Sequence, residues 1–361
     1  MKPSDRELLC SVADTLPRLA YETWGFGDSV AFDAMIEAST ALDDPSYVRF
    51  AHGWARSWAT RAVPFRRLDC TAPGRAMVAI SRRYSDARLL AALVALADYL
   101  LSRPRIGGVF ATWEQSPLMR PYGPEQLDPR GEALLAARPA GVFVDCLHFD
   151  PPFLAALGVA CGTEAYWRAG LEQARGYVEL LQRPSGLFDH FVLEGESGSF
   201  GPGWGRGQGW ALLGLLEVLA AVQDQLLDDT ARESAEICRG AAAALVAAMI
   251  NCQRDDGHWA AVVDCPRSEE EYSTAAFMAH GVARALSMGV VNGSAARKCA
   301  QRAFEAVRNA INTEGRLEKV SAAVMACTEA SHYEHVPVGF LVPWGQGPAV
   351  LALVGAEESG P

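Results

Sequence analysis

No stretch of this chain reaches the roughly 18 uninterrupted apolar residues that a membrane-spanning helix needs. The start, Met1-Lys2-Pro3-Ser4-Asp5-Arg6-Glu7, has no long apolar run behind it. A secretory leader is therefore not expected, and the protein reads as cytoplasmic. Positive charge is also short, with 32 lysines and arginines against 43 aspartates and glutamates and a net charge of −11. That balance argues against a nucleic-acid or anionic-membrane surface, although local arginines still allow an acidic ligand. The nine cysteines are an odd count and scattered, so they read as reduced thiols. Neither Cys146 with His148 nor Cys252, His258 and Cys265 has good metal spacing, and no metal is expected. No low-complexity linker divides the 361 residues, so one domain over 1–361 is expected, as a monomer or homodimer.

Half of the residues are apolar, enough for a sizeable core. Helical periodicity dominates. Asp86 to Ser102 carries Leu89, Leu93, Leu96 and Leu100 on one face, with Ser85 as cap. Thr163 to Gln182 reads the same way, as does Ser294 to about Asn312. Thr230-x-x-Glu233 is a capping-box pattern for a helix to about Ile250. Between these lie less charged runs at Leu147–Gly158, Gln208–Val222, Ser273–Met288 and Gly345–Val354. The alternation suggests an inner and an outer helical layer.

Four amphipathic helices are each followed by a glycine and a short apolar segment. These segments are Gly108 to Trp113, Gly186 to Phe191, Gly257 to Val262 and Gly315 to Val320, a weak internal repeat. About twelve helices in six hairpins predict an all-α fold, an (α/α)6 barrel with short β-hairpins in its loops. An open α-solenoid is the alternative, but Arg103–Phe143 and Leu187–Arg206 are long for its loops. Gln115 to Pro139, rich in proline and charge, reads as a functional loop.

The chemistry-bearing residues cluster at predicted loop ends. Gly203-Trp204-Gly205-Arg206-Gly207-Gln208-Gly209-Trp210 packs two tryptophans, an arginine and four glycines into eight residues. Glycine admits close backbone approach, tryptophan offers a face to a sugar, and arginine a fork to a carboxylate. Asp145 lies in an apolar and aromatic run, where desolvation suits a proton donor, or else it caps the following helix. Asp69 precedes Thr71-Ala72-Pro73-Gly74 and either acts or caps. His190 either binds or is a satisfied loop histidine. Arg206 either binds or pairs with Glu194 or Glu196. His258 and Trp259 read as packing.

At these residues the chain resembles glycoside hydrolase family 105, the unsaturated rhamnogalacturonyl hydrolases, and the related family 88 unsaturated glucuronyl hydrolases. The resemblance runs from about Phe65 to Leu353. It rests on Leu68-Asp69 with Ala72-Pro73-Gly74-Arg75, on Val144-Asp145-Cys146-Leu147 leading to Pro151-Pro152-Phe153-Leu154, and on Phe188-Asp189-His190. Trp204 to Trp210, Glu271 to Ala276, and Gly345-Gln346-Gly347-Pro348 complete it. Gln208, His148 and the Trp113–Pro139 loop depart from the common pattern.

The resemblance implies removal of a 4,5-unsaturated uronic acid from the non-reducing end of an oligosaccharide, without a metal or organic cofactor. Asp145 would protonate C4 and activate the water that adds at C5. Asp69 would assist, Trp210 and Trp204 would stack on the ring, and His190, Arg206 and His148 would bind substrate. Two other readings stand beside it. A sugar 2-epimerase needs facing histidines, and only seven are present. A non-catalytic carbohydrate-binding toroid would need no buried acid.

Overall fold

The computed structural model describes residues 4–21, 25–60, 65–265 and 267–358; residues 1–3 of the start segment lie outside them. Thirteen α-helices occur among these residues: α1 (Asp5–Ala13), α2 (Asp28–Ala41), α3 (Ser46–Thr60), α4 (Gly74–Arg83), α5 (Ala87–Leu101), α6 (Pro129–Ala136), α7 (Asp150–Cys161), α8 (Glu164–Leu181), α9 (Gly205–Val222), α10 (Asp229–Cys252), α11 (Tyr272–Ser287), α12 (Ser294–Ala310) and α13 (Pro343–Glu358). Twelve of them form the ring. α2, α4, α7, α9, α11 and α13 pack side by side, and α13 returns onto α2 to close the circle. The other six, α1, α3, α5, α8, α10 and α12, lie outside. α6 sits in the long loop before α7.

The layers follow from composition. α9 buries nearly every residue, glycines and Arg206 included, because it has neighbours on all sides. α12 buries only its alanine, cysteine and valine stripe, and shows lysine and arginine to solvent. Some caps differ from expectation. Ser85 is left-handed (φ 51°), so Asp86 caps α5 by accepting from the Leu89 N–H. α10 starts one residue before Thr230, capped by Asp228 and not by a Thr230–Glu233 box. Two apolar stretches are long enough to cross a membrane by length and composition, Val144–Cys161 and Asp229–Cys252. Both belong to the ring.

The strands are short. β1 (Arg105–Ile106) and β2 (Val109–Phe110) form one hairpin; β3 (Gly141–Phe143), β4 (Asp189–Leu193) and β5 (Phe200–Pro202) form an antiparallel sheet in the order β3-β4-β5. The expected repeat is present: Gly108, Gly186, Gly257 and Gly315 all have φ between 74° and 91°. A Cβ on Gly315 would overlap the Ser11 carbonyl of α1, so this turn needs glycine for both conformation and approach.

Each turn is also held by a buried or half-buried glutamine. Gln173 bonds Gly108 O and Phe110 N, Gln182 bonds Gly186 O, Gln253 bonds Gly257 O, and Gln346 bonds Gly315 O and Leu317 N. One amide, with two donors and an acceptor, satisfies backbone groups that no regular ladder reaches.

The far end of the inner ring is charged. Glu217 of α9 accepts from Arg75 of α4 at 3.0 Å and from Arg284 of α11 at 3.0 Å, and Arg75 also meets Asp33 of α2 at 2.9 Å. These residues line a cavity of about 280 Å³ together with Glu37, His148 and His280. The two guanidiniums hold Glu217 down at about 2 against the opposing effect of burial. Burial pushes the His148 imidazole down to about 3 and His280 to about 4. Glu217→Gln leaves two arginines without their shared carboxylate and should cost about 3–5 kcal/mol at pH 7, read by urea denaturation. Because the folded pKa of Glu217 is depressed, this deficit should be full above about pH 4.5 and shrink as the pH falls toward 2. A pH-independent deficit would contradict the assignment.

Candidate active site

At the opposite end, the N-termini of α9 and α13 open onto an enclosed apolar cavity of about 100 Å³. Its wall includes Phe26, Trp113, Phe143, Trp204, Trp210 and Trp344, with Val324 and Met325 on one side. The polar members are Asp145, His190 and Arg206. Among the described residues, Asp145 is the one carboxyl group in the wall.

Asp145 sits in a single 3-10 turn, Val144–Leu147, between β3 and α7. It does not cap α7, whose N-cap position is Phe149. The turn is pressed against α9 at Gly214, where a Cβ would overlap the Leu147 carbonyl. β3 pairs with β4, with Phe143 opposite Phe191, and this brings His190 beside the turn. The His190 Nε2 lies 3.3 Å from Asp145 Oδ2, and both side chains are at least nine-tenths buried. Trp204 packs on the His190 ring at 4.5 Å.

Arg206 is buried between the Trp204 and Trp344 rings at 5.1 and 5.6 Å. It donates to the Ser321 hydroxyl and to Ala322 O, and faces Glu271 at 3.6 Å. Neither Glu194 nor Glu196 is its partner; Glu196 takes Arg130. Burial lowers the Arg206 pKa, opposed by Glu271 and Asp145. Glu271 in turn accepts from Ser273, Thr274 and Ser321, which ties the start of α11 to the same segment.

That segment is a strap over residues 318–342, between α12 and α13. It lies along the 113–139 loop, with Leu118 bridged to Ala326 and the Met119 N–H donated to Ala326 O at 2.9 Å. His332, fully buried, accepts the Tyr122 N–H at 3.2 Å and donates to Met325 O at 2.9 Å. Burial pushes its pKa down to about 4, so it stays neutral in this bridge. The two loops together roof the cavity.

The structure thus brings Asp145, His190, Arg206, Trp204 and Trp210 together, and leaves two expected residues elsewhere. Asp69 lies in the turn before α4; its carboxylate accepts from Trp58 Nε1 at 3.2 Å and from the Arg66 N–H at 2.7 Å, and it is not in the cavity wall. His148 lies behind Trp210, bonded to the Ser29 hydroxyl at 3.0 Å and facing the charged cavity at the far end. Its neighbours there, not a sugar, explain this departure from an aromatic residue. Trp210 is 1% exposed, with Phe277, His148 and Phe149 around its ring. It closes the floor instead of offering a stacking face, and its indole N–H is buried without a partner. Gln208 clamps both backbone groups of Phe188 and the Trp204 carbonyl, a structural duty.

Sequence reading missed Phe26, Trp113, Trp344 and the strap residues. Trp344 carried a signal, since Pro343-Trp344-Gly345 opens the last helix. The strap carried none beyond the aromatic and polar mix Ser331-His332-Tyr333. Gly214→Ala should push the Asp145 turn off α9, lowering both melting temperature and turnover; a variant with normal turnover would show that the turn tolerates displacement.

The likeness to known proteins fits this geometry. The Bacillus subtilis unsaturated rhamnogalacturonyl hydrolase YesR is 25% identical over 355 residues, spanning 97% of this chain and 95% of that protein. A possible member of the GH105 family from Salmonella enterica serovar Paratyphi A superposes with TM-score 0.81 at 20% identity, covering 97% and 93% of the two chains. The unsaturated glucuronyl hydrolase of Bacillus sp. GL1 superposes with TM-score 0.67 at 17% identity, covering 96% and 94%. The sequence profile of Glycosyl Hydrolase Family 88 matches residues 13–359. The chain therefore belongs to glycosyl hydrolase family 88, on an (α/α)6 barrel.

Proposed function

We propose that the protein removes a 4,5-unsaturated uronic acid from the non-reducing end of an oligosaccharide by hydrating its vinyl ether. The observation that carries this is the single carboxyl group that the described residues place in the cavity wall. Ordinary glycosidases place two carboxyls across the scissile bond, about 5–9.5 Å apart, and the described residues of this wall offer no such pair. A vinyl ether needs only one acid. Asp145 protonates C4, positive charge develops at C5 and the ring oxygen, and water adds at C5. The carboxylate takes a proton from that water. The hemiketal then opens and releases the aglycone.

The surroundings support each demand. The apolar wall excludes bulk water. The cavity lies at one end of the barrel under the two loops, which suits action on a terminal residue. Phe26, Trp113 and Trp344 are half-buried in the wall and offer faces to that ring. Arg206 and the N-termini of α9 and α13 supply positive charge for a uronate. An epimerase reading would require two proton-handling groups on opposite sides of a ring, and among the described residues His190 is the one histidine in the wall. The names of the Bacillus subtilis and Bacillus sp. GL1 relatives point to the same substrate class, with rhamnose-linked and glucuronate-type ends as the first to assay.

Loss of the ultraviolet absorbance of the double bond, across a panel of lyase-made disaccharides, tests the reading. Asp145→Asn should keep its fold and lose roughly 10²–10⁴-fold in turnover. Near-normal turnover in that variant would remove Asp145 from the mechanism.

A further inference from the structure

We propose that Tyr333 is a positioning residue for this reaction: its hydrogen bond to His190 fixes which ring nitrogen carries the hydrogen, and so makes Oδ1 the oxygen of Asp145 that delivers the proton. The inference rests on the reading of Asp145 as proton donor.

Tyr333 lies in the 3-10 turn Ala330–His335 of the strap and is fully buried. Its hydroxyl is 2.7 Å from His190 Nδ1. Burial holds that hydroxyl well above the usual phenol range, so it keeps its proton. Among the described residues, His190 Nδ1 is the one hydrogen-bond partner of that hydroxyl. The phenolic hydrogen therefore goes to Nδ1. A neutral imidazole whose Nδ1 accepts carries its hydrogen on Nε2.

Nε2 faces Asp145 Oδ2 at 3.3 Å. A protonated carboxyl has one hydroxyl and one carbonyl oxygen. An N–H directed at Oδ2 selects Oδ2 as the carbonyl, because a hydroxyl hydrogen there would meet the imidazole hydrogen. The acidic proton is left on Oδ1. In the reaction the Oδ1–H bond breaks as C4–H forms from the electron pair of the C4–C5 double bond. Water oxygen then bonds C5, and one of its protons returns to Oδ1. The Nε2–H stabilises the carboxylate between these steps, and Tyr333 and His190 end with the protons they began with.

The strap makes this placement rigid. Its neighbour His332 bridges the Tyr122 N–H to Met325 O, so Tyr333 cannot leave His190 without breaking the roof of the site. The other ionisable groups near this chain are Arg206 on α9, Cys146 in the Asp145 turn and Tyr177 on α8, which act with Asp145, His332 on the strap, which acts with His190, and Asp189 on β4 and Cys327 on the strap, which act on Tyr333. Of these, Arg206 is the one cation.

Tyr333→Phe in the full chain tests the proposal on the substrate that wild type turns over. The expected result is a kcat lower by about tenfold, with KM within about twofold. In a His190→Gln background the same substitution should change kcat by less than about twofold. A Tyr333→Phe enzyme with wild-type kcat would overturn the proposal, as would equal losses in both backgrounds.

Should the variant fail to fold, nitrogen-15 chemical shifts of His190 in the wild-type protein decide the matter. Protonated Nε2 with unprotonated Nδ1 supports it, and the reverse tautomer overturns it. A wild type inactive on every unsaturated uronide would sink the proposed function, while the tautomer measurement would still judge the hydrogen-bond chain.

Discussion

The carboxylate of Glu217, shared between two guanidiniums, ties the inner helices together across the ring. It joins Arg75 and Arg284, and Arg75 reaches Asp33, so four inner helices are linked by charge where their ends meet. Glu217 itself is largely buried, so its charge is tolerable there because two half-buried guanidiniums flank it.

The two ends of the barrel therefore divide the work. One is a paired ionic plug, and the other is a chamber whose single acid is surrounded by aromatic rings. Trp210 is the partition. His148 touches it from the charged side, while Trp210 also lines the chamber. The chamber is not finished by the helices alone. The 113–139 loop and the strap meet at Leu118 and Ala326 and bring Trp113, Met325 and Tyr333 to their places. A site assembled from segments about 200 residues apart is sensitive to the roof as much as to the floor.

Most of the fold was legible locally. Apolar stripes with period 3.6 set the outer helices, and low charge marked the inner ones. The left-handed glycines at 108, 186, 257 and 315 marked the hairpin loops because each turn requires φ above zero. Caps were read less well. Asp228 and Asp86 took positions assigned to their neighbours, since several residues in each run can donate or accept and only the helix axis selects one. In the site, the order of Asp145, His190 and the Trp204–Trp210 segment was legible through family resemblance. Asp69 and His148 were not separable from it, because residue type does not tell which cavity a polar side chain will face.

By itself the sequence determined the all-α class, the layering of its helices, and the segments that carry the acid, the histidine and the arginine. These are properties of periodicity and residue type, which act over a few turns. The tertiary structure decided which polar groups face one another. It placed His148 with Asp33, Gln208 with Phe188 and Tyr333 with His190, pairs between 20 and 143 residues apart. Such pairings arise from ring closure, and no local pattern encodes a distance that exists only once α13 has met α2.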